Sequence, residues 1–198
     1  MKHVWELCQS CAESVYGHAA PTPEYAERAA RLLYGTVMFE SGGAERRQRG
    51  FAPYPENKRG AFGIGQVEIP TLRWMLQWLK QRSDVRHHLY VWLGPGPLLD
   101  EEHLPDIVRL LQTPNGDRLA VAFVRLRYFL APGAIPATVA EQAAYWLRYY
   151  NGGWDCDQGA GRELAQTYGV DTARGMVLKK YVTSWETRCA PYVGEQRG

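Results

Sequence analysis

Apolar side chains recur along most of this chain at intervals of three and four residues, the period of helices that bury one face. Ala26, Ala29, Ala30, Leu33 and Val37 mark the first such face. Thr22 and Pro23 precede it as a hydroxyl N-cap and a proline at the first helical position, where the missing N–H costs nothing. Ser41, Gly42 and Gly43 stop it. In LRWMLQWLKQR, Leu72, Met75, Leu76 and Leu79 share a second face. Trp74 and Trp78 lie four apart beside that face, a spacing that favours the core or its edge over a sugar-stacking role. Gly94-Pro95-Gly96-Pro97 is a break, and Asp100 to Leu111 reads as a short helix with Glu101, Glu102 and His103 in its charged first turn. The strongest pattern runs from Asp117 to Leu130. There Leu119, Ala122, Phe123, Leu126 and Leu130 form one face, with Arg125 and Arg127 off it, and the segment reads as the central helix. Thr138 to Tyr149 follows, then helices near Glu163–Tyr168 and Asp171–Trp185. Strand signals are nearly absent, so the expected fold class is mostly α.

The 198 residues suit one domain with short appendages, read as an N-terminal appendage over 1–21 and the main domain over 22–198. Apolar content of 45% and charged content of 22% are those of an ordinary globular protein. A net charge of +2 argues against a strong nucleic-acid binder. No run approaches the length of a membrane span, so stable insertion is not expected. Glu6, Gln9 and Ser10 break any apolar region that a secretory signal would need.

Candidate chemistry centres on Glu40. In the last turn of its helix, the negative end of the dipole and the neighbours Met38 and Phe39 disfavour the ionised form. A carboxyl kept protonated can act as a general acid, as cleavage of a glycosidic bond requires. Further on, GAFGIGQVE spaces Gly60, Gly63 and Gly65 so that backbone can approach a ligand closely, and Gln66 adds an amide. The segment lacks the strand and the lysine of a phosphate-binding loop, so no nucleotide is implied.

Glu40-Ser41, then Gly60-Ala61-Phe62-Gly63-Ile64-Gly65-Gln66 with Pro70-Thr71, resemble the soluble lytic transglycosylases and the related goose-type lysozymes. Those families carry Glu-Ser, a Gly-Ala-x-Gly-x-x-Gln segment, and a later Tyr-Asn in Ala-Tyr-Asn-Ala-Gly. Tyr149-Tyr150-Asn151-Gly152-Gly153 looks like the last of these, and the helix after Asp117 is similar to the family's buried helix. The interval from Glu40 to Gly60 is longer than usual, and Gln66-Val67-Glu68 is closer to the Gln-Val-Asp of the goose-type enzymes.

The resemblance implies a lysozyme-like domain that cleaves peptidoglycan glycan strands without a metal or other cofactor. Glu40 would be the catalytic acid and base, and Glu68, with Glu56 behind it, the candidate to position water in a hydrolytic muramidase. Ser41, Phe62, Gly65, Gln66, Tyr150 and Asn151 would contact substrate or orient the carboxyl. A structural reading of Tyr150 as a packed aromatic and Asn151 as a helix C-cap stands beside this. A non-catalytic glycan-binding or virion structural module is the third alternative. The workplace would be the periplasm or cell wall, reached by delivery in a phage particle, release as an endolysin or a secretion machine.

Two features stay open. The basic insert from Ala44 to Arg59, with Phe51 and Tyr54, reads equally as a groove wall and as a solvated loop. Cys8-x-x-Cys11 with single, distant Cys156 and Cys189 does not match a zinc site. Two disulfides fit better, one of the close pair joining a distant partner, and a fully reduced set fits equally.

Overall fold

A computed structural model describes residues 1–14, 22–43, 48–49, 60–96, 98–151, 166–167 and 170–194, and it is mostly helical. Helices α1 (Lys2–Ser14) and α2 (Pro23–Ser41) come first. A small antiparallel sheet follows, made of β1 (Gln48–Arg49), β2 (Ala61–Phe62) and β3 (Val67–Glu68) in that order. Then come α3 (Ile69–Lys80), α4 (Ser83–Leu93), α5 (Leu104–Leu111), α6 (Asp117–Phe129) and α7 (Val139–Tyr149). Helix α8 (Val170–Ser184) runs through a π-helical turn, Trp185–Cys189, into α9 (Ala190–Gly194).

Helix α6 is the centre. Every residue from Leu119 to Leu126 is buried, Arg125 included at 1% exposure. A helix surrounded by others is buried on all sides, which is why placing Arg125 off the apolar face fails, whereas Arg127 is only half-buried. The far side of α6 is closed by α1. Its Val4, Trp5, Cys8, Cys11 and Ala12 sit in the same core cluster as α2 and α6, and Trp5 packs on Tyr34 with ring centroids 5.4 Å apart. The helix expected as an appendage is therefore part of the core, because its cysteines complete a continuous apolar face with Val4 and Trp5.

Cys8, Cys11 and Cys189 are free, buried thiols, so the disulfide expectation is not met at these three. Cys156 lies outside the described residues. Helix α5 begins later than expected. Asp100 accepts from the backbone N–H of His103 at 3.1 Å and meets its Nδ1 at 2.6 Å, holding Asp100 to His103 in a turn ahead of the helix. Among the described residues, no helix is long and apolar enough to cross a membrane.

Candidate active site

Glu40 owes its position to the two ends of α2. The Thr22 hydroxyl accepts from Tyr25 N–H at 3.3 Å. At the other end Gly42, at φ 69°, turns the chain left-handed and donates its N–H to the Met38 carbonyl. In the turn between them Glu40 is half-buried. Its Oε1 accepts a hydrogen bond from the indole N–H of Trp146 at 3.1 Å. Trp146 is fully buried in α7, whose start is set by a capping box between Thr138 and Glu141. Phe39 meets the Trp146 ring edge-on at 4.8 Å and Tyr181 backs the indole at 5.1 Å, so the donor cannot swing away.

The glycine-rich segment forms the hairpin between β2 and β3, with Phe62 opposite Val67 and Ala61 opposite Glu68. Its glycines let it lie flat on α6. A Cβ on Gly65 would come within 2.4 Å of Val124 Cγ2, and one on Gly63, itself at φ +73°, within 3.0 Å of Ala120 Cβ. Gln66 has φ 51°, a left-handed conformation that costs a non-glycine residue about 1 kcal/mol or more. It is held there by its own backbone and side-chain N–H groups, both donating to the Gly63 carbonyl, at 3.1 and 2.9 Å.

Tyr150 ties α7 to this hairpin. Its hydroxyl donates to the Gly65 carbonyl at 2.5 Å, and its ring packs against Tyr128 at 5.5 Å. Tyr128 is anchored in turn to Thr36 of α2 at 2.6 Å. Burial, and then the nearby Glu40 carboxylate, push the ionisation of Tyr150 well above its ordinary value, so it stays a neutral donor.

A cleft of about 260 Å³ opens where these parts meet. Glu40, Gln66, Glu68, Tyr150 and Asn151 line it, bringing together five of the eight residues singled out from the sequence. Ser41, Phe62 and Gly65 do not line it. Ser41 is buried, with its Oγ donating to the Val37 carbonyl at 3.0 Å and accepting from Gly43 N–H at 3.2 Å, which makes it part of the helix end. Phe62 is fully buried in the core. Gly65 supplies the carbonyl that Tyr150 holds. Glu56 and most of the basic insert lie outside the described residues; only Gln48–Arg49 is seen, paired with β2.

Val67, Thr71 and Arg127 also line the cleft and were not read from the sequence. Arg127 had a signal: it is a cation at the C-terminal end of an otherwise apolar central helix. Trp74, expected in the core or at its edge, is 42% exposed, with the Arg127 guanidinium 5.5 Å from its ring centroid. Trp78 is half-buried between Phe129 and Arg82.

Chemically, the cleft offers two carboxylates in different surroundings. Glu40 is half-buried and hydrogen-bonded, and Glu68 is exposed at the end of β3. One cation, Arg127, and the amides of Gln66 and Asn151 stand beside them. Among the described residues no cluster of three or more His, Cys, Asp or Glu could hold a metal ion. No family model matches the chain, and no curated protein or solved structure matches it.

Proposed function

We propose that this protein is a lytic transglycosylase with a lysozyme-like fold, whose cleft is the groove for peptidoglycan glycan strands. The bond cleaved is the β-1,4 linkage between N-acetylmuramic acid and N-acetylglucosamine, and the reaction takes place in the periplasm or cell wall. The observation that carries the reading is the meeting of Glu40, Gln66, Tyr150 and Asn151, from three separate motifs, around one cleft. The resemblance of those motifs supplies the substrate class.

In this reaction Glu40 protonates the leaving glycosidic oxygen. The Trp146 N–H holds Oε1 as an acceptor in both protonation states, so the transferred proton resides on the other oxygen. Glu40, now ionised, takes the proton from the muramic C6 hydroxyl as that oxygen attacks C1. The product is an anhydro sugar, and no water is consumed. Gln66 and Asn151 orient the sugar, while Tyr150 keeps the hairpin and its amide in register with Glu40.

One observation favours a second reading. Glu68 lines the same cleft as Glu40. A carboxylate on the opposite side of the sugar is what a hydrolytic muramidase of goose type needs to activate water, at a separation of roughly 6.5–9.5 Å for inversion. Mass spectrometry of muropeptides released by the native protein and by Glu68→Gln decides between the two. Anhydro-muramic ends from both are expected. Reducing ends that disappear in the variant would establish the hydrolase. If neither protein releases product, the non-catalytic glycan-binding module takes their place.

A further inference from the structure

Helix α3 buries Leu72, Met75, Leu76 and Leu79 on one side, as its period requires. Trp74 lies off that side and is the one exposed large aromatic among the described residues. An indole left 42% exposed forgoes the burial that normally fixes its position. It sits one helical turn beyond Thr71, which lines the cleft, so the two side chains are neighbours on the helix surface. Arg127 joins them a second time, since it lines the cleft and carries its guanidinium 5.5 Å from the Trp74 ring centroid. At that distance the guanidinium lies over the ring in a cation–π contact, and the indole is still 42% exposed.

We propose that Trp74 and Arg127 form a second carbohydrate subsite, continuous with the cleft, that takes a sugar ring carrying a carboxylate. The inference rests on the glycan-cleaving reading and names the part of the polymer that is held beyond the scissile bond. The exposed part of the indole suits the apolar C–H face of a pyranose, which buries area without losing hydrogen bonds. The guanidinium fork beside it suits a carboxylate in two-point contact. A neutral polysaccharide would use the first group and leave the second unmatched. On a strand free of peptide stems, the muramic lactyl group supplies a carboxylate on every second ring. Glu40 and Glu68 line the same cleft as Arg127, while Glu101 is engaged by Gln77 at 3.1 Å and lies 4.0 Å from Arg73.

Calorimetric titration of the full chain tests this, with Glu40→Gln in place so that nothing is cleaved. The probes are peptide-free glycan strands of four and eight sugars with free lactyl carboxylates, and a neutral chitin strand of eight sugars. The acidic eight-sugar strand should bind about tenfold more tightly than the neutral one, and Arg127→Gln should abolish that preference. Trp74→Ala should weaken the eight-sugar strand by about tenfold and the four-sugar strand by less than twofold. Trp74 is a surface position, and a melting curve checks that the fold is kept. Unchanged affinity of Trp74→Ala for the long acidic strand, with the native protein still cleaving cell wall, overturns the subsite alone. Equal affinity for acidic and neutral strands overturns the carboxylate assignment. Failure of the native protein to cleave wall and of Glu40→Gln to bind any strand removes both the subsite and the functional reading.

Discussion

The indole N–H of Trp146 donates to Oε1 of Glu40 at 3.1 Å, across 106 positions of sequence. The bond holds the carboxyl in one orientation, as a general acid must be held to meet the leaving oxygen. Trp146→Phe keeps an aromatic ring, though a smaller one, and deletes the donor. Turnover at saturating substrate should then fall by roughly tenfold, because the carboxyl loses the contact that fixes its orientation. Stability should fall by about 1–2 kcal/mol from the smaller ring. Full turnover with the same stability loss would show that Trp146 only packs.

Gly65 tests how closely the hairpin must lie on α6. Alanine there would bring a Cβ within 2.4 Å of Val124 Cγ2 and 3.2 Å of the Tyr150 hydroxyl. The overlap should cost about 1–3 kcal/mol. Because the first obstacle is one methyl group, Gly65→Ala with Val124→Ala should lose less than the sum of the single changes. Urea unfolding of the four proteins measures the coupling, and strict additivity would refute the contact as the cause.

Tyr150→Phe removes the hydroxyl that the Gly65 carbonyl accepts from and leaves that carbonyl buried without this partner. A loss of about 1–3 kcal/mol is expected, lowering Tm by about 2–4 °C for each kcal/mol. If the hydroxyl keeps the hairpin in register, product release at saturating substrate should also fall by about tenfold, since small errors of placement are costly in catalysis. A variant that loses stability and keeps full turnover would confine Tyr150 to the fold.

The helices were legible because their period acts locally; that Glu40, Gln66 and Tyr150 line one cleft was expected only from the resemblance of three motifs, since nothing local joins such distant positions. Thr22 and Gly42 delimit α2, and that alone puts Glu40 in a last turn. The orientation of individual side chains was not legible. Ser41 follows Glu40 in the motif, yet its hydroxyl turns back to the Val37 carbonyl, a choice any serine at a helix end can make. The sheet escaped because strands of two residues carry no period. Arg125 and α1 were misjudged for one reason. Whether a helix has one buried face or two depends on what packs behind it, and α1 lies more than a hundred residues away in sequence from the side of α6 it covers, as the contact of Cys11 with the Val121 carbonyl shows.

That contact also carries a prediction in pH. Burial pushes the thiols of Cys11 and Cys189 up from 9.0 to about 12, the nearby arginines opposing it, and Cys8 moves the same way. Below pH 9 both native and unfolded chains hold these protons, and the thiols add no pH dependence. Between pH 9 and 12 the unfolded chain releases them and the native protein does not, so stability falls as pH rises. Each thiol contributes a slope of up to about 1.4 kcal/mol per pH unit. Cys11→Ala deletes one of them at the cost of a small cavity. The variant should therefore be less stable than the native protein at pH 8, with the gap closing as pH rises to 11. Urea unfolding of both at pH 8, 9, 10 and 11 measures that gap directly, and the other alkaline titrations cancel in the difference. A gap that stays constant across the series would mean that Cys11 ionises as freely in the fold as outside it.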